Sequence, residues 1–222
     1  MSLVSAALLG LGLGVKHAFE ADHVAAVCAL VARRGTVARA ARAGALWGLG
    51  HGAVIIVAGT ALVMLGAKVP GPVAAALDAA VAVMLVGLGI SALRRTPGEV
   101  DAGHEHTHAP DHEHQHAHEP RGSTRRPILI GLVHGASGTA ALTLLVASTI
   151  PERAEALAFI MLFGLASIVG MAAAAAVLAW PLRKAALHTP AIARGLRGMA
   201  GVGSIAAGLM VAWIAVYTAK LN

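Results

Sequence analysis

Residues 12–31 read GLGVKHAFEADHVAAVCALV. By composition this is a membrane-spanning helix, yet its middle carries Lys16, His17, Glu20, Asp22 and His23. An ionisable side chain at the centre of a bilayer is costly, and such residues mark an ion site, a relay or a substrate pathway. The order is His17-x4-Asp22-His23. Imidazole suits nickel, cobalt, zinc and copper, whereas magnesium and calcium take sites built mostly of oxygen. The stretch points to a dehydrated transition-metal ion inside the membrane.

A regular helix would not gather these groups. At about 100° per residue, Asp22 lies roughly 140° and His23 roughly 240° around the axis from His17. Two arrangements remain open. Either the helix is interrupted near residues 18–21, as discontinuous transporter helices are, or His17 and His23 serve different positions along a path. Lys16, Glu20 and His23 share a face, at offsets of four and three. Lys16 with Glu20 reads as an internal ion pair, and Glu20 is a lesser candidate ligand.

The rest of the chain fits a membrane setting. Of 222 residues, 57% are hydrophobic and 13% charged, so no soluble class applies. Twenty-six glycines and long alanine runs suit helices that associate in lipid by close backbone approach. Gly44, Gly48 and Gly52 recur every fourth residue, as do Gly10 with Gly14 and Gly131 with Gly135, and all read as packing positions. The single cysteine, Cys28, excludes an intramolecular disulfide and a paired redox relay. The N-terminus has no basic region and no cleavage pattern, so it reads as part of the first span.

A hydrocarbon core about 30 Å thick needs about 20 apolar residues per helix. That yardstick finds six segments, at 2–32, 39–66, 72–94, 127–149, 153–182 and 195–219, with Pro70, Pro72, Pro127, Pro151, Pro181 and Pro190 at the joins. Basic residues lie almost wholly on alternate connections. Arg33, Arg34, Arg39, Arg42, Arg94, Arg95, Arg121, Arg125, Arg126, Arg183, Lys184, Arg194 and Arg197 face Lys68, Arg153 and Lys220. This asymmetry predicts that the first, third and fifth connections are cytoplasmic and both termini outside. It also assigns the positive charge to topology, so the bilayer is the expected partner and nucleic acid is not.

Three spans followed by three make the second half enter the membrane in the opposite sense. GLGVKHA at 12–18 is echoed by IGLVHGA at 130–136, and LWGLGH at 46–51 by LFGLAS at 162–167. The expectation is an all-α integral membrane protein of six transmembrane helices arranged as a 3+3 inverted repeat. Residues 1–95 and 127–222 form the two repeats, joined by a cytoplasmic loop at 96–126.

Two further histidines fall within spans, His51 in WGLGHGAV and His134 in GLVHGASGT. With His17, Asp22 and His23 they make the expected metal set, and Ser137 and Thr139 could add hydroxyls or bond back to the helix. The connecting loop carries His104, His106, His108, His112, His114, His116 and His118 among acidic residues, Pro and Gly. Nothing in it can bury a core, so it is expected to be disordered without metal and to bind such ions weakly in several registers. HEHTH at 104–108 and HEHQH at 112–116 match the zinc-protease pattern His-Glu-x-x-His, which requires a helix that Pro110 and the polar surroundings do not support. No buried nucleophile sits beside a base, so neither an enzyme nor a resident cofactor is expected.

KHAFEADHVAAV resembles the signature of the nickel/cobalt transporter family, secondary permeases with a His-x4-Asp-His helix. GALWGLGH, RRPILIGLVHG and LFGLASIVGM resemble that family's other motifs in its short, six-span branch, which includes urease-accessory-type membrane proteins. The resemblance implies transport of Ni2+ or Co2+ across a bacterial cytoplasmic membrane, with His17, Asp22, His23 and His51 in binding and translocation. A cytoplasmic metallochaperone, or urease or hydrogenase maturation proteins, are the partners it implies. Lys16 stands where the family usually has Arg, and the second half lacks the acidic residues of longer members. Related efflux proteins typically have Gly where this chain has Asp22, which favours uptake. Efflux through the same site and a non-translocating metal sensor are the alternatives.

Overall fold

The computed structural model describes residues 1–31, 36–67, 69–94, 124–137, 146–147, 149–188 and 190–219. Among them, all regular structure is helical: α1 Leu3–His17, α2 Ala21–Val31, α3 Val37–Leu65, α4 Gly71–Leu93, α5 Arg125–Gly135, α6 Arg153–His188 and α7 Pro190–Ala219. Local chemistry sets the ends. The Ser2 side chain accepts from the Ser5 amide to start α1, and Thr36 does the same for Arg39 at the start of α3. Gly66, at φ 61°, ends α3 in the left-handed conformation that favours glycine. Pro70 precedes α4, with Pro72 in its first turn, where a missing amide donor leaves nothing unpaired.

Four stretches are long and apolar enough to cross a membrane, namely α3, α4, Arg153–Pro181 of α6 and Arg194–Tyr217 of α7. A fifth is the pair α1 and α2, bent by 50° at the break between them. The chain is therefore a multi-pass helical membrane protein. The expected span at 127–149 is represented by α5, whose 11 residues cover about 16 Å, too little to cross alone. Most of that span's second part lies outside the described residues. One expected join differs: Pro181 lies inside α6. Membrane helices accommodate an interior proline because neighbouring groups satisfy the freed carbonyl.

The packing is organised around α6, which lies against α1 and α3, while α5 packs on α3, α7 on α4, and α2 on α7, α6 and α4. Small residues make these approaches close. A Cβ at Gly44 would come within 2.5 Å of the Met171 carbonyl oxygen, and one at Gly48 within 2.9 Å of the Ile168 Cα. A Cβ at Gly14 would meet the carbonyl oxygen of Phe163, and one at Gly131 would meet that of Trp47. These last two contacts correspond: Gly14 and Gly131 each lie three residues before a span histidine, and Trp47 and Phe163 occupy the same place in LWGLGH and LFGLAS. Outward-facing residues such as Val57, Val83, Val169, Met199 and Met210 are exposed and apolar, as a lipid-facing surface requires.

Replacing Gly131 by Leu should force α5 off α3 and lower stability by about 1–3 kcal/mol. Gly12, with nothing within 4 Å of its Cβ position, is the control. Melting of the detergent-solubilised protein should fall for Gly131→Leu and stay unchanged for Gly12→Leu.

Candidate metal centre

The break in the first span creates the site. After His17 the chain leaves the α-helical ladder through two short-range bonds, Phe19 N–H to the Lys16 carbonyl at 3.0 Å and Glu20 N–H to the His17 carbonyl at 3.1 Å. The ladder resumes when the Val24 amide donates to the Glu20 carbonyl at 2.9 Å. The helix is thus interrupted between His17 and Ala21, the first of the two open arrangements. His17 and His23, which a regular helix would set about 120° apart around its axis, come to lie with ring centroids 4.3 Å apart.

His51 from α3 and His134 from the end of α5 complete the cluster. The Nε2 atoms of His17 and His51 are 3.1 Å apart, so one ring donates to the other. His134 stacks on His23 with centroids 4.3 Å apart and 28° between planes. Asp22 lies between these two rings, accepting from His23 Nδ1 through Oδ1 and from His134 Nε2 through Oδ2, both at 3.0 Å. All four histidines are buried, three of them with no exposed surface, and Asp22 retains 14% exposure of its side chain. One ligand atom from each of His17, His23 and His51 falls within 4.8 Å of the others, and the same holds for Asp22, His23 and His134.

Glu20 takes a different part from the one expected. Its Oε2 accepts from His17 Nδ1 at 2.9 Å, while Lys16 is exposed, so the Lys16–Glu20 ion pair gives way to a Glu20–His17 pair. The helix break is the reason, because it removes the four-residue offset that would have placed Lys16 and Glu20 on one face. Ser137 bonds back to the His134 carbonyl at 3.1 Å, the second of its two anticipated uses. Thr139 and the loop histidines from His104 to His118 lie outside the described residues.

Two aromatic walls were not assigned from the sequence. Trp47, fully buried, has its ring 5.6 Å from His23 and 5.5 Å from His134, and Phe163 lies 5.2 Å from His17. The signal was the echo of LWGLGH in LFGLAS, which sets an aromatic residue at equivalent places. Several nitrogen atoms face no partner among the described residues: His23 Nε2, His51 Nδ1, His134 Nδ1 and Trp47 Nε1. Buried polar atoms are ordinarily paired, so three imidazole nitrogens without partners among the described residues, where four rings converge, have the chemistry of a cation site, whereas Trp47 Nε1 is a donor and can only contribute an N–H.

Buried imidazoles and carboxylates where a broken span meets two other helices define a class: multi-pass membrane proteins that handle a metal ion. The comparisons narrow it. Residues 3–129 match the family NicO, described as high-affinity nickel-transport protein, and the chain belongs to this family. It is 33% identical over 174 residues to the urease accessory protein UreH of Bacillus sp. (strain TB-90), an alignment covering 77% of this chain and 75% of that protein. No solved structure matches the chain.

Asp22→Leu should leave the His23 and His134 N–H groups unpaired in the interior, at about 1–3 kcal/mol each. In metal-free detergent solution this variant should melt clearly below both the parent and Asp22→Asn, whose amide oxygen still accepts one of the two bonds.

Proposed function

We propose that this protein is a secondary permease that carries Ni2+, and Co2+ as a chemically similar cargo, into the cell. The observation that carries this reading is the meeting of His17, His23, His51, His134 and Asp22 at a break within a membrane span. The cation sheds water onto this cluster, and the imidazole nitrogens replace its hydration shell. The loop histidines from His104 to His118 receive the ion on the cytoplasmic side, and both termini are outside. A metallochaperone or a urease or hydrogenase maturation protein then takes it on.

The scaffold for alternating access is a 3+3 inverted repeat, residues 1–95 and 127–222, related through the loop at 96–126. Correspondences across the helix contacts support it. Gly14 meets Phe163 as Gly131 meets Trp47, and His17 faces Phe163 as His134 faces Trp47. The ligands do not obey this symmetry: Ser167 stands at the place of His51, and its hydroxyl bonds to the Phe163 carbonyl at 2.8 Å. Rocking of two similar halves around a site weighted toward the first half would expose it to each side in turn.

Energy is available without nucleotide. A divalent cation moving inward gains about 4.6 kcal/mol per 100 mV of inside-negative potential, which supports roughly a thousandfold accumulation. Ligating imidazoles must be unprotonated, so protons compete with the metal and acid weakens capture.

In proteoliposomes, radioactive nickel should accumulate under an inside-negative potassium diffusion potential and more slowly as external pH falls. His17→Ala and His51→Ala should each reduce the rate at least about tenfold, in line with loss of a ligand from a closed set. Unchanged uptake in both variants, or cells that lose nickel on expression, would contradict the proposal.

A further inference from the structure

We propose that the two carboxylates of the site position ligands and are not themselves ligands, and that the cation rests on three imidazole nitrogens, the Nε2 atoms of His17, His23 and His51. This rests on the permease reading and assigns which atoms of that site hold the cargo.

The assignment follows from where the ring protons are. A ring nitrogen at hydrogen-bond distance from an ionised carboxylate carries the hydrogen, and in a neutral imidazole the other nitrogen then carries the lone pair. Glu20 Oε2 lies 2.9 Å from His17 Nδ1, which fixes the His17 lone pair on Nε2. Asp22 Oδ1 lies 3.0 Å from His23 Nδ1, which fixes the His23 lone pair on Nε2. His17 Nε2 faces His51 Nε2 at 3.1 Å, and His23 Nε2 is buried with no partner among the described residues. With the His17 hydrogen on Nδ1, His51 Nε2 is the donor across the 3.1 Å contact in the metal-free chain, and His51 completes the trio when that proton moves to Nδ1, which faces no partner among the described residues.

The spacing suits an ion. Nitrogen ligands about 2.1 Å from a metal and at right angles to each other lie about 3 Å apart. The His17–His51 separation of 3.1 Å is already of this size, and ligand atoms of all three rings lie within 4.8 Å of one another. Carboxylate–imidazole–metal chains are a general way to set ring orientation and raise ligand basicity. Here Glu20 acts on His17 and Asp22 on His23.

Asp22 is poorly placed to be a ligand itself. Each of its oxygens accepts a ring N–H, Oδ1 from His23 and Oδ2 from His134, so a cation on either oxygen would sit beside the hydrogen of a donor. His134 commits Nε2 to Asp22 and holds the carboxylate's second oxygen. The resulting set is neutral, all nitrogen, drawn from α1, α2 and α3, with its negative charge held one layer out. Such a set selects borderline divalent ions over magnesium and manganese, which require oxygen. It also leaves coordination positions to water, which suits an ion that must leave again.

The test is X-ray absorption at the nickel edge on the full chain in detergent, with the seven loop histidines replaced by Ser so that they do not contribute. The chain loaded with one equivalent of Ni2+ should show three imidazoles. Asp22→Asn and Glu20→Gln should keep the count at three while weakening affinity about 10–100-fold. His51→Ala should lower the count, and His134→Ala should not. A count of two in the parent chain, or a count that falls with His134→Ala and holds with His51→Ala, would overturn the assignment and put the ion on Asp22, His23 and His134. Three-imidazole binding without nickel flux in proteoliposomes would overturn the permease reading and leave the ligand assignment standing.

Discussion

Everything in this protein depends on holding buried imidazole nitrogens inside a membrane-spanning bundle. A buried imidazole in lipid surroundings has one hydrogen and one lone pair to satisfy, and a lone pair left alone is costly. The protein satisfies the hydrogens with carboxylates, Glu20 for His17 and Asp22 for His23 and His134. Among the described residues it leaves His23 Nε2 without a partner. A cation would relieve that basicity, and the break in the first span is what brings His17 and His23 together around it.

The scaffold follows from the same constraint. A helix cannot present His17 and His23 to one point unless its ladder is interrupted, and an interrupted helix in lipid needs neighbours close enough to shield the freed backbone. Gly14 and Gly131 let the histidine-bearing helices settle against the backbones of Phe163 and Trp47. Trp47 and Phe163 then close the sides of the cluster with apolar surface. Ser167 adds a hydroxyl at 3.3 Å from the Gly14 carbonyl, beside the break. Packing and chemistry are therefore set by the same few residues.

Much of this was legible in the chain. Hydropathy gave the apolar segments, and the clash of that hydropathy with His17, Asp22 and His23 gave the place of the site. The 140° and 240° offsets already demanded an interruption as one of two solutions, by about 100° per residue. What the residues alone could not provide was the use of each side chain. An offset of four between Lys16 and Glu20 implied an ion pair only for as long as the helix continued, and the break transferred Glu20 to His17. Trp47 and Phe163 carry no charge to signal their role, so only their shared place in two echoing motifs pointed to it. The end of α5 is marked by Gly135, Ser137, Gly138 and Thr139 but does not read as one, because the apolar run that resumes after them fills out the length of a span.

The description of the matching family speaks of nickel transport, and the imidazole cluster is the candidate location for that chemistry. A site of imidazoles, with its carboxylates turned to the rings, would favour borderline ions without a cysteine ligand. Diffraction from nickel-soaked crystals at the nickel absorption edge would test this most directly. The account requires one strong anomalous peak within the membrane, enclosed by His17, His23 and His51. A membrane region with no such peak, while nickel appears only on loop histidines, would contradict it.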